Sequence, residues 1–535
     1  MIQTVQTLVV LLCVIAAVGV GARHLRVPPA ILLVVVGVIL ALVPGLPTVR
    51  LAPEVVLLLV LPPVIYSSAV AMSWREFRFN LRSISLLAIG CVLFTTIAAA
   101  AAAHWMLGLA WPVGFVLGAI ISPPDAVAPL AIARRMQLPR RILVVLEGEG
   151  LANDATALIL YRFAIVAVAT GTFSLEKATG SFVFIIAGEL IWGVGVGWVL
   201  LRLRRWIADP QIEILLSLLT PFAAYWPPQH LGGSGVLATV AAGLYVSWNG
   251  LAIISAATRL QGIFFWDVLL YVMEGLIFLI TGLQARNLAA GIAGYAPAQL
   301  AMSAAAFSVV VILARFIWTF PATYLPRLVP AIARRDPAPP WQWPFAIAFT
   351  GVRGIVSLAA ALAIPLYMDN GQPFPSRDLI LFLTYTVILV TLVGQGLLLP
   401  ALIRVLGLEH AGRREHRAEK AEELEARREA IAAATRRLEA LSREMRVPEE
   451  LARALEAQHR ERLRHFAPHR QKSADHRPPE PHDSVELELL AAERERINEL
   501  YRTGRLRDET RRRLERELDL RDASLASHAH EQLDD

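Results

Sequence analysis

Cysteine is almost absent from this 535-residue chain, and the two present, Cys13 and Cys91, both lie inside apolar runs. With no CxxC pair and no spaced Cys/His set, a zinc-thiolate site, a thiol redox centre and a disulfide framework are all excluded. Charge is also scarce, but only in part of the chain. Residues 1–400 hold 23 Lys/Arg and 15 Asp/Glu, against 28 and 30 in residues 401–535. Soluble domains average about 25% charged residues, so the first stretch has too little charge, and apolar runs too long, to be one. No GxSxG, HExxH or phosphate-binding glycine loop occurs, which removes the commonest signatures of hydrolases and nucleotide enzymes. The first apolar run, TVQTLVVLLCVIAAVGVGA at 4–22, lacks a basic segment before it and is followed by Arg23 and Arg26. It is expected to be a retained first span, not a cleaved leader.

What the chain does have is apolar length. It is 56% hydrophobic, with a mean hydropathy of +0.52. A helix needs about 20 apolar residues to cross a bilayer, and cutting at charged or Pro/Gly/Asn-rich breaks gives thirteen candidates between residues 4 and 400. The eighth and ninth, near 212–226 and 234–250, are short, so twelve is the alternative count. Assigning alternate loops to the two sides places 16 Lys/Arg on one side and 4 on the other. By the positive-inside rule this sets the N-terminus outside and the C-terminal tail in the cytoplasm. The expected fold is therefore an all-α polytopic membrane domain over 1–407, followed by a charged helical cytoplasmic tail over 408–535.

Two spans carry helix breakers at mid-depth. The fifth reads WPVGFVLGAIISPPDAVAPLAIA, with Pro123-Pro124 beside Asp125, and the twelfth reads WPFAIAFTGVRGIVSLAAALAIPL, with Gly351 and Gly354 around Arg353. Proline removes an intrahelical donor and glycine weakens a helix, so both should unwind locally. Unwound backbone at that depth is tolerated only inside protein or along a wet cavity. The two spans are seven apart and so antiparallel; if the seventh is a linker, each is the fifth helix of a six-helix half. Interruptions at matching positions of two halves point to a transporter site built on inverted repeats.

The sixth span, ILVVLEGEGLANDATALILYRFAIVAV, places Glu147, Glu149, Asn153 and Asp154 in an apolar helix. A central ionised residue costs roughly 2.5–3.5 kcal/mol on insertion scales, so these acids must be paired or functional. At about 1.5 Å per residue, Asp154 lies roughly 18 Å in from Ile142, and Asp125 reaches a similar depth from Trp111. The two carboxylates can therefore share one site. Together with the Asn153 side chain and carbonyls freed around Pro124, they offer the oxygen ligands that a hard monovalent cation needs. Loss of water favours the neutral form of a carboxyl group, so a proton competes for the same oxygens. Arg353 needs a counter-charge, for which Glu149 is the candidate, as a structural ion pair. Glu147 is placed near the cytoplasmic mouth of the ion path. Glu274 and Arg315, in the tenth and eleventh spans, are read as a structural pair.

On LEGEGLANDATALILYR (146–162), ISPPDAVAPL (121–130), TGVRGIVSLAAAL (350–362) and LPPVIYSSA (61–69), the chain resembles the monovalent cation:proton antiporters. Within that family it is most similar to the sodium/proton exchanger branch with an Asn-Asp pair in the ion-site helix. The resemblance implies that Asp154 binds ion and proton with Asn153 as its partner, that Asp125 sits at crossed, unwound helices, and that Glu149 and Arg353 form the structural pair. It further implies electroneutral exchange by elevator-like alternating access in a homodimer. Some relatives have a serine where this chain has Gly150, Thr-Asp-Pro where it has Pro124-Asp125-Ala126, and an acid at the position of Ser67, which makes Ser67 a further ion-path position.

The expected activity is exchange of Na+, with Li+ and K+ as further candidates, for H+ across the cell (inner) membrane. A K+-selective proton antiporter is the nearest alternative. An intramembrane aspartyl hydrolase using Asp125 and Asp154, or a cation channel, is more remote, since neither a substrate-positioning motif nor a repeated filter occurs. Partners are monovalent cations, protons, lipid and a second copy of the chain; nucleic acid and bound cofactors are not expected. In the tail, residues 408–466 and 485–522 favour helix and 467–484, with PPEPH, reads as a linker.

Overall fold

Long apolar stretches in a bilayer satisfy their backbone chiefly by hydrogen bonding within themselves, and among the described residues those of this chain are helical apart from local breaks. A computed structural model of the chain describes residues 2–457, apart from 26, 45–51, 173, 208, 251–252, 293, 295, 369–370, 445–447 and 449, together with 493, 495–497, 499, 514, 518 and 520. Among the described residues the only β pairing is an isolated bridge between Tyr367 and Pro373.

The chain opens with α1 (Ile2–Leu25), α2 (Pro29–Ala41) and α3 (Leu61–Ala71). A π-helical turn over Leu86–Cys91 joins α4 (Trp74–Ser85) to α5 (Val92–Leu107). Then come α6 (Trp111–Ile121), α7 (Val127–Arg135) and the long α8 (Arg140–Thr170). After α9 (Leu175–Arg204) and α10 (Pro210–His230), a glycine-rich turn leads to α11 (Val236–Asn249), so the eighth and ninth apolar stretches form two separate helices. Next are α12 (Ala256–Leu283), α13 (Ala285–Gly291), α14 (Pro297–Tyr324), α15 (Pro330–Arg335), α16 (Gln342–Phe349) and α17 (Ile355–Leu362). The apolar part closes with α18 (Arg377–Leu389) and α19 (Gly396–Val405), before the charged α20 (Leu408–Arg443). Among the described residues, seven helical stretches are long and apolar enough to cross a membrane, including Trp74–Leu107, Arg140–Thr170 and Pro297–Leu328. The protein is a multi-pass membrane protein.

Helices α1, α2, α3 and α9–α12 pack mainly on one another, as do α4–α8 with α14 and α16–α19. Where α2 meets α12, Gly37 and Gly282 face each other so closely that a Cβ on either would collide with the opposite backbone. Small residues at such a crossing let two helices gain van der Waals contact that larger side chains would forbid. Glu189 of α9 caps α11. Its carboxylate accepts the backbone N–H groups of Ser234, Gly235 and Leu237 at 2.5, 2.9 and 3.0 Å, satisfying donors that the start of a helix leaves free.

The compact first unit runs to Glu422 and the second covers Glu423–Asp535. The boundary expected at 407/408 lies inside the first unit. It followed the change in charge, whereas packing continues past it: Leu408 is buried in a cluster with Ile132, Leu138 and Ile142. Gly412 lies on the Gln137 carbonyl, and Glu415 accepts the Arg140 N–H at 3.1 Å. In the second unit, α20 continues to Arg443 and residues 450–457 are helical. The linker expected at 467–484 and most of the helical stretch expected at 485–522 lie outside the described residues.

Asp336, after α15, gathers three arginines. Arg141 and Arg327 reach it at 2.6 and 2.8 Å, and Arg82 also donates to it. Partial burial alone would raise its pKa, but hydrogen bonds and charge from Arg141 and Arg327 outweigh that and hold it below the usual aspartate value. A carboxylate depressed in the folded state stabilises above its unfolded pKa, and that contribution is lost as pH falls through the folded value. Asp336→Asn is expected to cost about 1 kcal/mol, the scale of a solvent-screened ion cluster. Thermal unfolding in detergent should show a lower midpoint than wild type near neutral pH, and a gap that closes as the pH falls below the ordinary aspartate pKa.

Candidate functional site

Helix α6 ends at Ile121 because Pro123 and Pro124 cannot donate the next intrahelical bonds, and α7 does not begin until Val127. The second interruption runs from Thr350 to Gly354, between α16 and α17. The two non-helical stretches meet backbone to backbone: the Asp125 N–H donates to the Val352 carbonyl at 2.7 Å. A Cβ at Gly354 would land inside the Asp125 side chain, so only glycine allows this approach. Both expected breaks are present, and they touch each other.

Arg353 stitches the junction. Its side chain donates to the carbonyls of Ile121 at 2.8 Å and Ser122 at 3.2 Å, and also to that of Gly351. Its backbone N–H donates to Thr391 Oγ1 at 2.9 Å. Ile121 and Ser122 form the C-terminal end of α6, where unpaired carbonyls and the helix dipole favour a cation. Asn153, fully buried on α8, donates from Nδ2 to the Pro124 carbonyl at 2.6 Å, and its Oδ1 has no partner among the described residues. Asp125 uses Oδ1 to accept the Val127 N–H at 3.0 Å, which starts α7.

Asp154 follows Asn153 on α8 and lies close enough to Asp125 for their charges to interact. Both aspartates are half-buried. Neither has an arginine, lysine or histidine partner among the described residues. Gly150, one turn before Asp154, lies against the Ala126 side chain with no room for a Cβ. Gly150, which lacks the serine oxygen of the resembled pattern, is thus packed against Ala126, which stands where that pattern has proline. The site as built offers two carboxylates, the Asn153 amide oxygen and nearby main-chain carbonyls: a hard-cation or proton ligand set with no fixed counter-charge.

Two expected pairings are corrected. Glu149 does not pair with Arg353. Its carboxylate is held by Arg315 of α14 through two parallel bonds of 2.5 and 2.8 Å, with both side chains almost wholly buried. Arg315 also donates to the Ile347 carbonyl at 3.1 Å. The physical reason is that Arg353 has its guanidinium occupied by the carbonyls of the break, while Arg315 presents a fork that matches a carboxylate. With Arg315 engaged, Glu274 of α12 has no ion-pair partner among the described residues. Glu147 pairs with Arg134 at 2.5 Å. Ser67, half-buried on α3, makes no side-chain hydrogen bond among the described residues.

Comparison with known proteins gives a consistent result. The family described as sodium/hydrogen exchanger, transmembrane, matches residues 8–405. An uncharacterized Na+/H+ exchanger of Mycobacterium tuberculosis is 36% identical over 535 residues, covering 98% of this chain and 97% of that protein. A sodium, potassium, lithium and rubidium/H+ antiporter of Bacillus pumilus is 33% identical over 406 residues, covering 74% of this chain and 60% of that one. The solved structure of the sodium proton antiporter MjNhaP1 from Methanocaldococcus jannaschii has the same fold, with a TM-score of 0.60 at 18% identity over 76% of this chain and 99% of that chain.

Removing one member of a buried ion pair costs about 3–5 kcal/mol, because the other charge is left uncompensated. Glu149→Gln and Arg315→Gln should each lower stability on that scale, and their double variant should recover much of the loss. A thermal-stability double-mutant cycle should give strong coupling between positions 149 and 315 and weak coupling between 149 and 353.

Proposed function

Because the chain belongs to the sodium/hydrogen exchanger family, whose members are transporters and not enzymes, we propose that it is a secondary active antiporter exchanging Na+ for H+ at Asp154 and Asp125. One observation carries this assignment: Asp125 at the contact of two interrupted helices and Asp154 on α8 interact through their charges, and neither has a basic partner among the described residues. A buried acid kept without a counter-ion is costly, and a transported cation or a proton supplies the missing charge. Only one of them neutralises the pair at a time, so loading one displaces the other. Asn153, next to Asp154 in the chain, donates to the carbonyl of Pro124, next to Asp125.

Alternating access follows if the helices holding the aspartates move against α1–α3 and α9–α12. The chain is placed in the cell (inner) membrane, as a homodimer, with its N-terminus outside and its tail in the cytoplasm; loop charge supports that orientation. Broader selectivity is the second reading, in which Li+ and K+ are also carried. It is favoured by the printed activity of the Bacillus pumilus relative and by the Gly150–Ala126 contact, which leaves water to complete the ion's coordination.

Asp154→Asn is expected to abolish cation-dependent proton movement in everted vesicles while the protein still inserts, a loss of at least about tenfold for a charge that the ion must meet directly. Exchange at wild-type rate in that variant would reject the role given to Asp154. A Gly354→Ala substitution should also strongly reduce exchange by displacing Asp125, measured in the same vesicles.

A further inference from the structure

Glu274 lies in the apolar stretch YVMEGLIFLITGL of α12. Phe278 and Leu279 pack in one cluster with Ala128 of α7 and Val352 of the second break. Residues four apart share a helix face, so Glu274 and Phe278 look toward the same junction, one turn apart. The Glu274 carboxylate is half-buried, within electrostatic reach of Asp125, and has no hydrogen-bond or ion-pair partner among the described residues. The two arginines nearest in kind are occupied: Arg315 holds Glu149, and Arg353 holds main-chain carbonyls. The α12 helix packs chiefly on α2 and α1, whereas the aspartates sit on α8 and at the start of α7, in the other helix set.

We propose that Glu274 is a hand-off carboxylate that attracts the transported monovalent cation on the α12 side and delivers it to Asp125 and Asp154. This rests on the exchange reading above. No group of three His, Cys, Asp or Glu side chains among the described residues is arranged to hold a metal ion. Glu274 is thus a neighbouring station on the ion's route, acting on its arrival more than on the bound complex. Because it stands on the opposite helix set, relative movement of the sets opens and closes its approach to Asp125.

The test is Na+-driven proton flux by the full-length protein in liposomes, with initial rates taken over a range of Na+ concentration. Glu274→Gln is expected to raise KM for Na+ about tenfold, the scale of local ion focusing by a charge in a cleft, with the maximal rate kept within about twofold. Glu274→Asp, which draws the same charge back by one methylene, should raise KM about threefold by the same focusing effect. An unchanged KM in Glu274→Gln overturns the proposal. So does a parallel loss of maximal rate and thermal midpoint at constant KM, which is what a purely structural role gives. If Glu274→Gln is not recovered folded, Glu274→Asp decides by the same criterion. A wild-type protein inactive with Na+, Li+ and K+ refutes the exchange reading itself, whereas an active wild type with an indifferent Glu274 refutes only the hand-off.

Discussion

The backbone hydrogen bond from Asp125 to the Val352 carbonyl joins two helices at the points where each has come apart. Unwinding at mid-membrane frees carbonyls and N–H groups that lipid cannot satisfy, so every such group has to find a partner inside the protein. The sequence answers with donors. Arg353 covers the end of α6, Asn153 takes the Pro124 carbonyl, and Thr391 accepts the Arg353 N–H. Cations and amides are spent on carbonyls, and the carboxylates beside them are left over. The free acids at the site follow from how the break is repaired.

Buried charge in this protein therefore falls into two kinds. Glu149 and Arg315 close on each other through two bonds and are shut off from water. That pair holds α8 to α14 and has nothing to offer an ion. Asp125, Asp154 and Glu274 are half-buried, and none has a basic partner among the described residues. The closed pair makes the frame rigid, and the open acids give it a place whose occupancy must change. The contrast lies in whether a guanidinium is within reach, since all five groups sit in apolar spans.

Much of this was legible in the sequence because it rests on local chemistry. Two prolines, or two glycines around an arginine, interrupt a helix whatever surrounds it, and an Asp at residue 154 is deep in an apolar helix by counting alone. Partner choice was not legible in the same way, since it depends on which helix faces which. Glu149 was matched to Arg353 because both were conspicuous. A stricter depth count favours Arg315: it lies nine residues before the end of α14, and Glu149 lies nine residues into α8, which the loop-charge orientation puts at the same level. That error concealed Glu274, whose assumed partner was already engaged. Charge marks where the apolar spans end, at 407/408, while Leu408 and Gly412 carry the packing further along the chain.

The central claim is that cation and proton exclude each other at one pair of carboxylates. Equilibrium binding of radioactive sodium to the purified, full-length protein over a range of pH tests it most directly. The account predicts that affinity weakens steadily as the medium becomes more acidic, approaching about tenfold per pH unit once the site is protonated, as expected when one proton must leave for one cation to bind. Sodium binding of equal strength at every pH, in a protein that remains folded, would contradict it.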